Sequence, residues 1–162
     1  MIKVGVIGSG SMGSGIAQVA ATGGHEVVLF DTNQDALEKA MNKLQNILAR
    51  LVEKGRIDAS TSAEIFDRIT PASNLNEMQG SGIVIEAIIE NLEIKKSVFS
   101  QLEEICGDDC VLATNTSSLS VAAIAAACKN PNRVIGVHFF NPAPLMPLVE
   151  IIPAIQTAEA IT

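Results

Sequence analysis

The chain has no tryptophan and no tyrosine, and only five phenylalanines among its 162 residues. Base stacking on aromatic side chains, the common way to hold a single nucleic-acid strand, is therefore barely open to it. Positive charge is also scarce. Eleven Lys and Arg face 18 Asp and Glu, a formal net charge of −7. Nucleic acids and anionic membranes are polyanions, so neither is expected as a partner. Cysteine is sparse and odd in number. Cys106, Cys110 and Cys128 cannot close a disulfide framework, and Cys106 and Cys110 stand at helical rather than metal-knuckle spacing. Reduced thiols in a cytoplasmic protein, with no metal site, are expected. No apolar run approaches the ~20 residues that span a bilayer. The first apolar run breaks at Gly8, too early for a secretory leader.

What is present is apolar and periodic. Apolar residues make up 48% of the chain, enough to exclude disorder and to give one domain a sizeable core. Short apolar runs read as buried strands at Ile2–Ile7, Glu26–Phe30, Ile69-Thr70, Ile83–Ile85, Val111–Thr114 and Val134–Val137. Helical patterns cover Met12–Thr22, Leu92–Ile105 and Val121–Cys128, the last after Ser120. A long amphipathic helix runs from Leu37 to Val52 and closes at Gly55, and a shorter one capped by Ser60 or Ser62 reaches Arg68. The alternation predicts an α/β fold: a doubly wound, mostly parallel sheet of the Rossmann type, with a helix pair inserted after the second strand. The span from Asp35 to Arg68 holds six basic and six acidic residues, so the rest of the chain carries all the net charge.

Gly8, Gly10 and Gly13 form G-x-G-x-x-G between the first strand and the first helix. Gly8 allows the tight turn, Gly10 the approach of a pyrophosphate, and Gly13 the packing of helix on strand. Helix N–H groups and the helix dipole then favour phosphate. Glycine-rich turns are common, but here an acid, Asp31, ends the second strand 18 residues beyond Gly13. About 20 is the spacing of the acid that holds ribose hydroxyls. A helix cap beside Asn33 is its ordinary alternative role. Thr32-Asn33 rather than arginine follows Asp31, so NAD is favoured over NADP.

The stretch Val134–Ile152 carries the candidate chemistry. His138 ends an apolar strand where open α/β sheets hold ligands, and Glu150 is the one acid of the next apolar segment. A neutral imidazole takes a proton near pH 7, and a carboxylate orients it. A lone histidine is more often a core residue, and His25, with no such setting, is given no role. Pro142, Pro144 and Pro147 exclude a helix between the two segments.

GSGSMG at Gly8–Gly13, EAIIENLEIK at Glu86–Lys95, NTSSL at Asn115–Leu119, and HFFNP with the later LVEII together resemble the L-3-hydroxyacyl-CoA dehydrogenase family. The resemblance runs through essentially the whole chain, and HFFNP with NTSSL is its most specific part. It implies an NAD-dependent oxidation of 3-hydroxyacyl-CoA, with His138 as general base, Glu150 as its partner and Ser117 holding the substrate oxygen. It places Gly8, Gly10, Ser11, Met12, Gly13, Asp31, Glu90, Lys95, Ser117 and Asn141 near NAD. It also places the inserted helix pair near coenzyme A, where Arg50 and Lys54, four apart, share a face that phosphates can meet. Taken singly, Lys95, Arg50 and Lys54 fit a solvated helix face equally well, and Ser117 with Ser118 fits a turn.

Family members continue into a helical C-terminal domain that closes the substrate cleft and forms a homodimer. Thr157–Thr162 reads as a capped helix just starting, so the chain is expected to be a truncated NAD-binding domain that turns over poorly alone. Two other readings stand beside this one: another NAD-dependent hydroxy-acid dehydrogenase, or a stand-alone NAD-binding module.

Overall fold

The computed structural model describes residues 1–162. Strands β1 (Lys3–Ile7), β2 (Glu26–Phe30), β3 (Ile69–Ala72), β4 (Ile83–Glu86), β5 (Val111–Thr114), β6 (Val134–Phe139) and β7 (Val149–Pro153) form one sheet in the order β3-β2-β1-β4-β5-β6-β7. All pairings are parallel except β6 with β7. Helices α1 (Ser11–Thr22), α2 (Gln34–Glu53) and α3 (Ala59–Asp67) belong to one half of the chain, and α4 (Leu92–Ile105) and α5 (Val121–Ala125) to the other.

The strand alternation builds two cores. Val4, Val6, Val27 and Leu29 face Ile16, Ala17, Leu37, Leu44 and Leu48 on one side. Ile7, Val84, Leu112 and Val134 face Phe99, Leu102 and Ile124 on the other. The chain leaves β1 toward one face and β4 toward the opposite face, so a crevice opens at the carboxyl ends of these neighbours. Gly8, Asp31, Ala87 and Asn115 follow the four central strands directly at that edge.

Several local readings are revised. Asp58, not Ser60 or Ser62, caps α3 by accepting the Thr61 amide; its carboxylate is a better acceptor than a hydroxyl. Helix α5 stops at Ala125 and continues to Cys128 only as turns. Thr157 caps nothing: its hydroxyl donates to the Val134 carbonyl and accepts the Ala154 amide, and only a single turn follows at Glu159–Ile161. The apolar segment around Glu150 is strand β7, which pairs antiparallel because a short loop returns it beside β6. A further turn, Leu75–Met78, was not legible; its anchor Met78 is buried under Gly5.

All three cysteines are buried free thiols. Burial, with Glu103 nearby, pushes the Cys128 thiol up to about 11, which leaves it inert. No helix is long and apolar enough to cross a membrane.

Candidate functional site

The glycine loop meets the physical requirements for a dinucleotide. Gly8 has φ +98°, a left-handed conformation that only glycine adopts freely. A Cβ on Gly13 would lie 1.8 Å from the Gly8 carbonyl oxygen, so α1 approaches β1 more closely than any side chain permits. Gly10 differs, since a Cβ there would meet nothing within 4 Å. Within the protein, nothing requires Gly10 to be glycine. Gly10 also precedes α1 without any side-chain cap, and the amides of Ser11, Met12 and Gly13 donate to no protein group. These are the unpaired helix N–H groups that bind phosphate.

Asp31 stands at the other end of the same groove, a cleft of about 720 Å³ lined also by Gly8, Ser11, Met12, Ile88 and Ile89. Its Oδ2 accepts the Ser9 amide and hydroxyl, both at 2.8 Å, and Oδ1 accepts the Asn33 amide at 2.9 Å. Partial burial opposes ionisation of Asp31, but these bonds outweigh it and hold the carboxyl below its ordinary range. Asn33, not Asp31, caps α2. The Asp31 carboxylate is thus fixed at the end of β2, an acceptor for ribose hydroxyls and repulsive to a 2′-phosphate. The open backbone, free amides and anchored acid fit NAD.

The second half of the crevice is a pocket of about 320 Å³ whose lining includes Met12, Glu90, Lys95, Ser117, His138 and Asn141. His138 Nδ1 lies 2.8 Å from Glu150 Oε2, across the β6–β7 ladder that pairs these two residues. A carboxylate only accepts, so Nδ1 carries the hydrogen and Nε2 of the neutral ring keeps its lone pair. Phe140 packs edge-on against the imidazole at 4.8 Å. The Phe139 amide donates to Asn115 Oδ1 at 2.8 Å, tying the end of β6 to the loop after β5.

Lys95 is not solvated. It is 1% exposed, and its ammonium lies 2.6 Å from Glu86 Oε1 and 3.2 Å from Glu90 Oε2. Glu86 also accepts the Ile88 amide and the Thr114 hydroxyl. Glu90 also accepts the Thr116 hydroxyl and the Ser117 amide. Partial burial would raise the Glu90 carboxyl, but the bonds from Thr116, Ser117 and Lys95 outweigh it and hold it low. Ser117 is consequently fixed by its backbone beside His138, with its side chain exposed.

Sequence reasoning missed Glu86, Thr114, Asn115 and Thr116. One signal was available: an acid closing the all-apolar strand β4, with a lysine nine residues on in the first turn of α4. Glu86 is fully buried, which requires a partner.

Arg50 and Lys54 do not reach this pocket. They line a separate cleft of about 450 Å³ between α1, α2 and the loop at Pro142–Leu145, together with Lys43 and Gln18. Neither cation has a carboxylate within 4.0 Å. Ser11 lines this cleft as well as the groove that runs to Asp31, so the two adjoin.

The sequence matches the family described as "3-hydroxyacyl-CoA dehydrogenase, NAD binding domain" over residues 3–162. It is 46% identical to the 3-hydroxyadipyl-CoA dehydrogenase of Escherichia coli K12, over 98% of this chain and 33% of that protein. It is also 46% identical to a 3-hydroxybutyryl-CoA dehydrogenase of Clostridioides difficile, over 98% of this chain and 56% of that one. The crystal structure of 3-hydroxybutyryl-CoA dehydrogenase from E. coli K12 superimposes with a TM-score of 0.97 at 45% identity, covering 99% of this chain and 34% of that chain. The chain therefore spans about a third of the two E. coli relatives and little more than half of the C. difficile one. With the glycine loop, Asp31 and these matches in agreement, the cofactor is NAD and the chain belongs to the 3-hydroxyacyl-CoA dehydrogenase NAD-binding domain family.

Proposed function

We propose that this chain is the NAD-binding part of an enzyme that oxidises L-3-hydroxyacyl-CoA to 3-ketoacyl-CoA and runs the reverse reduction. The observation that carries the reading is the His138–Glu150 pair at 2.8 Å, whose imidazole lines the pocket next to the NAD groove. When bound, NAD supplies the hydride acceptor. His138 Nε2 takes the proton of the 3-hydroxyl, and Glu150 stabilises the imidazolium, as the acid of a catalytic triad does. The Ser117 hydroxyl holds the substrate oxygen. In reverse, His138 returns the proton to the developing alkoxide. Met12, Glu90, Lys95 and Asn141 surround the nicotinamide end, while Asp31 holds the adenosine ribose. Arg50 and Lys54 meet the phosphates of coenzyme A in their adjoining cleft.

The substrate wall is incomplete. Leu148 just before β7, Ile151 and Ile152 on it, and Ile155 just after it are exposed. A helical domain following this one covers them, completes the cleft and joins two copies into a homodimer. This part alone binds NAD but turns over poorly. Its three free thiols suit a cytoplasmic enzyme.

The test is NAD reduction by the longer protein with 3-hydroxybutyryl-CoA and with free 3-hydroxybutyrate. The CoA ester should be used far better, and His138→Ala should abolish turnover at unchanged NAD affinity. Equal use of the free acid, or normal turnover by His138→Ala, would sink the reading.

A further inference from the structure

We propose that the Glu86–Lys95–Glu90 cluster gives the crevice a fixed negative charge that favours the oxidised cofactor over the reduced one, with Glu90 as the discriminating residue. This rests on the reading that the nicotinamide lies in the pocket lined by Glu90 and His138.

The argument begins with charge. Every protein partner of Glu86 is a donor: the Ile88 amide, the Lys95 ammonium and the Thr114 hydroxyl. Those of Glu90 are donors too: the Thr116 hydroxyl, the Ser117 amide and Lys95. The Thr114 hydroxyl accepts the Thr116 amide and the Thr116 hydroxyl accepts the Leu119 amide, so each hydroxyl's own proton goes to a carboxylate. Both carboxyls are accordingly ionised, one ammonium sits between them, and the cluster carries one net negative charge.

Exposure decides which charge the pocket meets. The Lys95 side chain is 1% exposed and that of Glu86 is sealed, whereas that of Glu90 is 40% exposed. Lys95 spends its protons inward, on Glu86, Glu90 and the Ile88 carbonyl. The face presented to a ligand is thus the Glu90 carboxylate. Its bonds hold it in place, so it acts without reorganising.

The two forms of the cofactor differ in charge at one place. The oxidised nicotinamide ring is cationic and the reduced ring is neutral, while the adenosine and pyrophosphate are the same. A carboxylate beside the ring attracts only the oxidised form, whereas Asp31, at the adenosine end, acts on both equally.

The test is the affinity of this chain for NAD+ and NADH, by calorimetry and NADH fluorescence, in wild type and four variants. Glu90→Gln should weaken NAD+ binding by roughly three- to thirtyfold, the effect of one unit charge over several ångström at a partly screened site. NADH binding should stay within about twofold. Glu90→Asp keeps the charge and should keep the ratio. Thr116→Val keeps the acid but removes one bond that positions it, and should shift both affinities together, changing the ratio far less than Glu90→Gln does. Parallel weakening of both forms by Glu90→Gln, or no change in either, would overturn the proposal, because Glu90 would then be only a loop anchor or indifferent. If wild type binds neither form, or Asp31→Ala leaves both affinities unaltered, the cofactor placement fails first and the proposal with it.

Discussion

Gly10 and Gly13 sit three residues apart in one motif, yet the structure assigns them opposite reasons for being glycine. Alanine at position 13 would place a methyl carbon 1.8 Å from the Gly8 oxygen and 2.9 Å from the Gly8 carbonyl carbon. Real Cβ contacts essentially never fall below 3.0 Å, so something must move by more than about 1 Å. Gly8 cannot yield. Its amide is bonded to the Phe30 carbonyl at 2.7 Å, and on its other side the Ala87 carbonyl oxygen lies only 2.6 Å from where a Cβ on Gly8 would sit. Helix α1 must lift instead and strain the packing of Ile16 and Ala17. Overpacking of this kind costs about 1–3 kcal/mol. At the upper end that lowers the melting temperature of a chain this size by about 6–12 °C. Alanine at position 10 meets no protein atom within 4 Å, and its φ of −63° suits any residue. It should leave stability unchanged or raise it by about 0.4–1 kcal/mol through the unfolded chain. Its methyl would stand where the pyrophosphate must approach, so NAD affinity should fall at least about tenfold, or 1.4 kcal/mol. Thermal melting and NAD titration of the two variants separate the roles. A Gly10→Ala chain that binds NAD like wild type would refute the phosphate placement. A Gly13→Ala chain that melts like wild type would refute the packing argument.

Other consequences follow from the same geometry. Lys95→Met leaves Glu86 and Glu90 without their cation and should cost about 3–5 kcal/mol in urea unfolding, the usual penalty for breaking a buried pair; a loss below 1 kcal/mol would mean the pair is not buried in solution. Glu150→Gln presents an amide N–H to His138 Nδ1, forces the hydrogen onto Nε2 and blocks proton acceptance. In the longer enzyme, turnover should drop at least about a hundredfold with NAD affinity intact, and a wild-type rate would remove Glu150 from the mechanism. Asp31 has a folded pKa held below 3.8, so its contribution to stability is present above that value and lost as pH falls through the folded one. The stability gap between wild type and Asp31→Asn should therefore close in acid, and a gap that widens there would contradict the bonding described. Arg50→Glu with Lys54→Glu should weaken CoA-ester binding in a salt-dependent way while sparing NAD, checked by titration at two ionic strengths.

Most of the strand and helix order was legible, because burial on both faces writes continuous apolar runs into β1, β4, β5 and β6, and the helices carry their own period. The glycine loop was legible because its constraints are local: a positive φ at Gly8 and a close approach at Gly13. His138 and Glu150 were paired by their setting alone. The misread features depend on competition between neighbours. Asp58 outbids Ser60 and Ser62 as a cap, and Thr157 turns from capping to bridging Val134 and Ala154.

By itself, then, the sequence determined the layered fold, the glycine loop between β1 and α1 and the acid that ends the second strand, since each follows from short-range sterics or periodicity. Only the tertiary structure decided that Lys95 lies buried between two carboxylates rather than in water. Only it anchored the Ser117 amide on Glu90, and put Arg50 with Lys54 in a cleft apart from that of His138. Those outcomes depend on which strand ends meet at the crevice, a matter of strand order and register that no local pattern encodes.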